Sequence, residues 1–199
     1  MKIALLPLAA CAALAACGTN DGGQDAAATP AADTVTVAAA PAASAPAAGG
    51  ITDPQIAHIV VTANQVDITA GELARTRSTH AGVKEFAERM VTDHTGVNKA
   101  AGDLAARLGV TPEPNPTSEQ LQQGGEQNVA ALQGKSGAEF DRAYVDQEVA
   151  YHQAVLDAID QTLIPGARNA ELKGLLQQTR PAIVAHLEHA KRLQASLGR

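Results

Sequence analysis

The chain has 199 residues, with 15 Lys and Arg against 21 Asp and Glu and a formal charge of −6. Apolar residues make up 45% and aromatics 2%, and the two cysteines, Cys11 and Cys17, both lie near the N-terminus. The acidic balance excludes a basic nucleic-acid-binding face, and the cysteine positions exclude a disulfide scaffold.

Met1-Lys2 gives a positive start, and Ile3 to Ala16 is an uncharged apolar run. That run is shorter than the about 20 residues a spanning helix needs. It reads as a signal peptide over residues 1–16, with small residues at the cleavage point. Leu14-Ala15-Ala16-Cys17 resembles the bacterial lipobox. The resemblance implies cleavage before Cys17, acylation of its thiol and a lipid anchor in a membrane. Cleavage before Cys11 leaves too short an apolar core. An ordinary secretory signal is the alternative. Gly18, where Asp often marks inner-membrane retention, points to an outer-membrane lipoprotein facing the periplasm.

Residues 17–50 read as a tether. They are almost wholly Ala, Gly, Pro, Thr, Ser and Asp, and Val35 and Val37 are the only larger apolar side chains after Cys17. Such a composition buries too little surface to offset ordering entropy. Pro30, Pro41 and Pro46 favour an extended spacer.

From Ile51 the pattern becomes helical, and residues 51–199 read as an all-α four-helix bundle. Asp53-Pro54 opens the first helix, with Asp53 expected as cap, and a stripe of Ile56, Ile59, Ala63, Val66, Ala70 and Leu73 carries it to Arg77. The second spans Gly82 to Leu108, with Val83, Ala87, Met90, His94, Val97, Ala101 and Leu104 on one stripe and Gly109 as stop. Pro112, Pro114 and Pro116 begin a long crossover, in which 117–132 predicts a short polar helix weakened by Gly124-Gly125. Ser136 to Glu139 has the form of a capping box for a third long helix, ending at Pro165-Gly166. The fourth starts after Asn169, stops before Gly198 and contains Pro181, which predicts a kink. Two short-turned hairpins joined by a long crossover make the ferritin-like arrangement.

The stripes carry polar anomalies. His94, His152 and His186 occupy apolar-stripe positions on three helices, Asp67 lies on the flanking row with Val60 and Ala74, and Glu148 precedes His152 by one turn. Counting from the turns at 1.5 Å per residue puts all of them near mid-bundle. Burying them unpaired costs several kcal/mol, so partners are demanded. A hydrogen-bonded network, with Asp67, Glu148 or Tyr144 holding the rings, is the reading favoured by sequence; a transition-metal ion held by His94, His152, His186, Asp67 and Glu148 is the alternative. The dinuclear Glu-x-x-His pattern is absent, because Val91 and Ile183 stand three residues before His94 and His186. Asp93 is expected at the edge or in solvent, His189 on a solvated flank, and His58 and His80 on the surface.

Other chemistry finds no support. An acylated Cys17 leaves no thiol nucleophile, no Gly-rich phosphate loop follows a strand, and Ser and Thr lie mostly in caps and loops. Asn64-Gln65-Val66-Asp67, Val83 to Ala87, Met90-Val91-Thr92-Asp93-His94, Phe140-Asp141-Arg142-Ala143-Tyr144, His152 and Pro181 to His186 together resemble a known family. It is the bacterial ferritin-like domain-of-unknown-function family often labelled "predicted outer membrane protein". The resemblance covers roughly Ile51 to Leu197 and implies a four-helix bundle in the cell envelope, with no agreed reaction. Members usually carry Glu where Asp67 stands. The expectation is a non-enzymatic envelope lipoprotein with a binding or stress-protection role, its protein partner unspecified, or else a metal-binding, redox-capable bundle.

Overall fold

The computed structural model describes residues 50–198. The signal peptide, the acylation of Cys17 and the tether up to residue 49 lie outside the described residues. The described residues form an all-α fold with no strand: α1 (Asp53–Arg77), α2 (Ala81–Leu108), α3 (Pro116–Gln133), α4 (Gly137–Ala158) and α5 (Ala170–Leu197). No helix among them is long and apolar enough to cross a membrane.

The caps show why the helices begin and end where they do. Thr52, not Asp53, caps α1: its hydroxyl accepts from the Gln55 amide, and the Gln55 side chain accepts from the Thr52 amide. Asp53 instead accepts from the amides of Arg168 and Asn169 at 2.8 and 2.9 Å, tying the α4–α5 turn to the start of α1. Asn115 and Ser118 form the reciprocal cap of α3 with Pro116 at its first position. That helix runs intact through Gly124-Gly125, longer than the weak segment expected, because it packs along α1. The box at Ser136 does not form; Gly137 enters at φ 52 and Glu139 pairs with Lys135 at 2.7 Å. Gly109 ends α2 in the left-handed region at φ 63.

Two irregularities sit in the second hairpin. After Ala158 the helix loosens into a π turn over Ile159–Leu163 and closes with Ile164–Gly166, a feature the stripe gave no sign of. The helical run of α5 passes through Pro181 unbroken.

Contacts along α3 fix the topology. Its start is held at the start of α1, where Asn115 Nδ2 donates to the Gln55 carbonyl and the Glu113 amide to the Pro54 carbonyl. Beyond its end, Arg77 at the C-terminus of α1 donates to the carbonyls of Gln133 and Lys135. The crossover therefore returns the chain along α1, and α4 runs parallel to α2. Helices α1 and α2 pack as one hairpin and α4 and α5 as the other, with α2 against α5 and α1 against α4 across the bundle.

The core is layered. One apolar cluster contains Ala70, Ala74, Phe86, Met90, Phe140, Tyr144 and Leu193. The other contains Ile56, Ile59, Leu104, Ile159, Leu163, Leu172 and Ile183. Between these two clusters each of α1, α2, α4 and α5 contributes buried polar residues: Asn64 and Asp67, His94, Glu148 and His152, and His186. In α1 the inner face is the row of Asn64, Asp67, Gly71 and Ala74, while Ala63, Val66 and Leu73 are only half-buried. The expected stripe is thus rotated, because α1 has to face both its bundle partners and α3.

Candidate metal centre

All five candidate ligands read from the sequence are brought together. His94, His152 and His186 each offer a nitrogen within 4.8 Å of the other two, and Asp67, Glu148 and His152 form a second such group. The three ring centroids stand 5.4–5.7 Å apart. Their side chains are 5% exposed or less.

Each ring has one nitrogen tied to an outer acceptor. His94 Nδ1 lies 2.7 Å from Asn64 Oδ1, which can only accept, so Nδ1 donates. His152 Nδ1 lies 3.0 Å from the Glu148 carbonyl oxygen and donates to it. His186 Nε2 lies 2.9 Å from Asp93 Oδ2. The opposite nitrogens, His94 Nε2, His152 Nε2 and His186 Nδ1, are buried and have no hydrogen-bond partner among the described residues. Both carboxylate oxygens of Asp67 share that state. Asp67 Oδ2 nevertheless stands only 2.8 Å from His94 Nε2 and 3.4 Å from His152 Nε2, close but without hydrogen-bond alignment.

A buried polar atom left unpartnered costs about 1–3 kcal/mol. Several in one slice of a packed bundle demand a shared partner. Three imidazoles held from behind by carbonyl or carboxylate oxygens, with the opposite nitrogen of each left unpartnered, have the hydrogen-bond pattern of metal-ligating histidines.

The electrostatics of the slice are strained. Burial pushes the Asp67 carboxyl up, but the imidazoles of His94, His152 and His186 outweigh it and hold it below its usual range. Burial and the Asp67 charge raise Glu148 to about 7. Burial works against a charged His152, yet Glu148 and Asp67 overcome it and raise the ring to about 9. His186 is driven down to about 4 by burial and its neighbouring rings, despite Asp93. A dication held by the unpartnered nitrogens and Asp67 would take the place of the proton on His152 and would balance the buried carboxylates.

Two contributors escaped the sequence. Asn64 lies one turn before Asp67, on the same face, which is the signal that marks it. Asp93 does reach the rim, as expected, with a 38% exposed side chain, but it also turns inward to His186. Tyr144 does not hold a ring: its hydroxyl is buried without a partner among the described residues. His189 stays outside the site, edge-on to Phe86. His80 is exposed and caps α2, and His58 is half-buried beside Thr62.

Two adjoining cavities lie beside the slice and share Thr117, Leu121 and Tyr151. One, of about 260 Å³, is almost wholly apolar and touches Asn64 and Tyr151 but none of the three histidines. The other, of about 300 Å³, is bounded by α1, α3 and α4 and is lined by Asp67 and Glu148.

The family model described as a domain of unknown function, DUF4142, matches residues 37–193. No curated protein and no solved structure matches the chain.

Proposed function

We propose that this chain, which belongs to the DUF4142 family, is an envelope lipoprotein whose ferritin-like bundle holds one divalent transition-metal ion. The ligands are His94 Nε2, His152 Nε2, His186 Nδ1 and Asp67. The observation that carries this reading is the set of buried, unpartnered nitrogens and carboxylate oxygens in one slice. Imidazole-rich sets with one carboxylate suit zinc and its neighbours in the first row, not magnesium or calcium. Asn64, Asp93 and the Glu148 carbonyl fix which nitrogen of each ring stays free.

The ferritin-like assignment is supported by the direction of the helices: α4 runs parallel to α2, with a long crossover lying along α1. The single mixed His/Asp site departs from the carboxylate-rich dinuclear centre of that architecture. The role proposed is binding, as a metal-holding and stress-protective module, with Cys17 as membrane anchor and the tether as spacer.

Metal analysis of the full-length chain purified in detergent tests this. The expected result is close to one transition-metal ion per chain, lost in His152→Ala, with a melting temperature that rises on zinc addition to the stripped protein. A wild-type chain that carries no metal and whose melting temperature ignores zinc, copper and iron leaves the hydrogen-bonded network as the better reading. The 2.8 Å approach of Asp67 to His94 is the observation that favours it.

A further inference from the structure

The cavity under the crossover helix has a composition that bears on the same site. It is bounded by α1, α3 and α4, and its charged lining groups are Asp67 and Glu148 alone. The remaining polar lining includes the amides of Gln120, Asn128 and Gln147. No Lys or Arg lines it. Glu148 is only 2% exposed as a residue and Asp67 1%, and Glu148 Oε2 and both Asp67 oxygens have no hydrogen-bond partner among the described residues. Asp67, Glu148 and His152 offer ligand atoms within 4.8 Å of one another, and His152 belongs also to the triad with His94 and His186.

From this we infer that the cavity is the loading route of the metal centre. Glu148 serves as a transfer ligand in it, and α3 is its cover. The inference rests on the metal-binding reading above. A hydrated dication is drawn by two carboxylates in a space without opposing cations. The volume of about 300 Å³ admits its water shell, at about 30 Å³ of liquid per water. The three side-chain amides offer oxygens to replace those waters stepwise. Asp67, Glu148 and His152 then form an outer position, and the ion passes inward by exchanging Glu148 for His94 and His186. Besides metal–ligand exchange the one bond that breaks is an N–H of His152, whose proton passes to a water released by the ion. The adjoining apolar cavity, which shares Thr117, Leu121 and Tyr151 with it, offers no carboxylate.

Gly124 gives the route a handle. It lines the cavity, and a Cβ placed on it meets nothing within 4 Å. Gly124→Leu should fold and narrow the opening. Gly102→Leu is the control: that glycine on α2 is also free of neighbours and lies outside the cavity lining.

The test is stopped-flow loading of Zn²⁺ into the metal-stripped full-length chain, followed by competition with a chromophoric chelator, together with the equilibrium affinity. In Gly124→Leu, loading and release should both slow by about tenfold or more with affinity unchanged, because a barrier acts on both rates alike. Glu148→Gln should slow loading at least as much while still binding one ion, and Gly102→Leu should match wild type. Wild-type affinity with unchanged rates in both Gly124→Leu and Glu148→Gln overturns the route and leaves the metal site standing. A Glu148→Gln chain that loses the ion altogether makes Glu148 a resident ligand and overturns its transfer role. A wild-type chain that binds no Zn²⁺ overturns both readings.

Discussion

The Asp93 carboxylate on α2 stands 2.9 Å from His186 Nε2 on α5, reaching in from the bundle rim. Its neighbour in sequence, His94, faces the same slice with its own free nitrogen. Adjacent residues of one helix thus act on one site at two depths. Asp93 holds the His186 ring so that Nδ1 is the nitrogen left free. Asp93→Ala should therefore weaken zinc binding by about 10–100-fold without abolishing it. Arg89→Ala, which removes the exposed guanidinium 3.3 Å from the same Asp93 oxygen, should change affinity little. Isothermal titration of both variants checks this. Equal losses in the two would assign the effect to surface charge.

Acidity separates the metal-free from the metal-bound protein. His152, raised from 6.5 to about 9, contributes stability that is fully present below 6.5 and fades as pH climbs through 9. Asp67, held below its ordinary 3.8, contributes above that value and loses its contribution as pH falls through the lower folded one. His186, lowered to about 4, costs stability as pH drops from 6.5 towards 4. Glu148, raised from 4.5 to about 7, costs stability as pH rises between those values, so the two middle effects oppose each other. The metal-free chain should be most stable between about pH 4 and 6.5 and weaken towards pH 9. Zinc needs His152 neutral, so its affinity should grow about tenfold per pH unit up to pH 9. Melting curves with and without zinc should diverge steadily from pH 6.5 to 9. Parallel curves would exclude His152 as a ligand.

The depth of the site was legible because helical rise is nearly invariant. Asp67 and His94 lie equally far from the turn at Ser78–His80 to within one helical turn, as do His152 and His186 from theirs, so counting residues placed them in one slice. Rotation about each axis was less legible. Ala63 and Val66 read as core from their spacing, yet the row of Asn64 and Asp67 faces inward. A polar row cannot announce burial until its partners on other helices are known. The role of Asp53 was hidden for the same reason: its acceptors' donors, the amides of Arg168 and Asn169, are over a hundred positions away. The π turn at Ile159–Leu163 leaves no mark in the stripe, since Ile159 and Leu163 stay buried with either winding.

The hairpin of α1 and α2 depends on close approach at Gly71. A Cβ there meets Val91 Cγ2 at 3.0 Å and the Ala87 carbonyl oxygen at 3.1 Å. The carbonyl belongs to helix backbone and has little room to yield. The gain in helix propensity on replacing glycine, about 1 kcal/mol, is opposed by overpacking of about 1–3 kcal/mol for larger side chains. Gly71→Leu should therefore lower unfolding free energy in urea, whereas Gly96→Ala, at an open position of α2, should raise it. Because Gly71 is one turn from Asp67, the Leu variant should also loosen zinc binding.

Anchoring is predicted to reside in one atom, the Cys17 thiol. The chain beyond it is acidic, with 21 Asp and Glu against 14 of the 15 Lys and Arg, so its net charge does not draw it to anionic lipid. No described helix is able to span a bilayer. Attachment then rests on acyl chains, each contributing about 0.8 kcal/mol per buried methylene, and more than one chain is needed for stable residence. Cys17→Ser should move the protein from the membrane to the soluble fraction and abolish incorporation of labelled palmitate, while Cys11→Ser should leave both unchanged. The released chain should load zinc with wild-type stoichiometry, since no site residue lies before Asn64. Retention of Cys17→Ser in washed membranes would show that something other than lipid, a protein partner or an uncleaved leader, holds the bundle there.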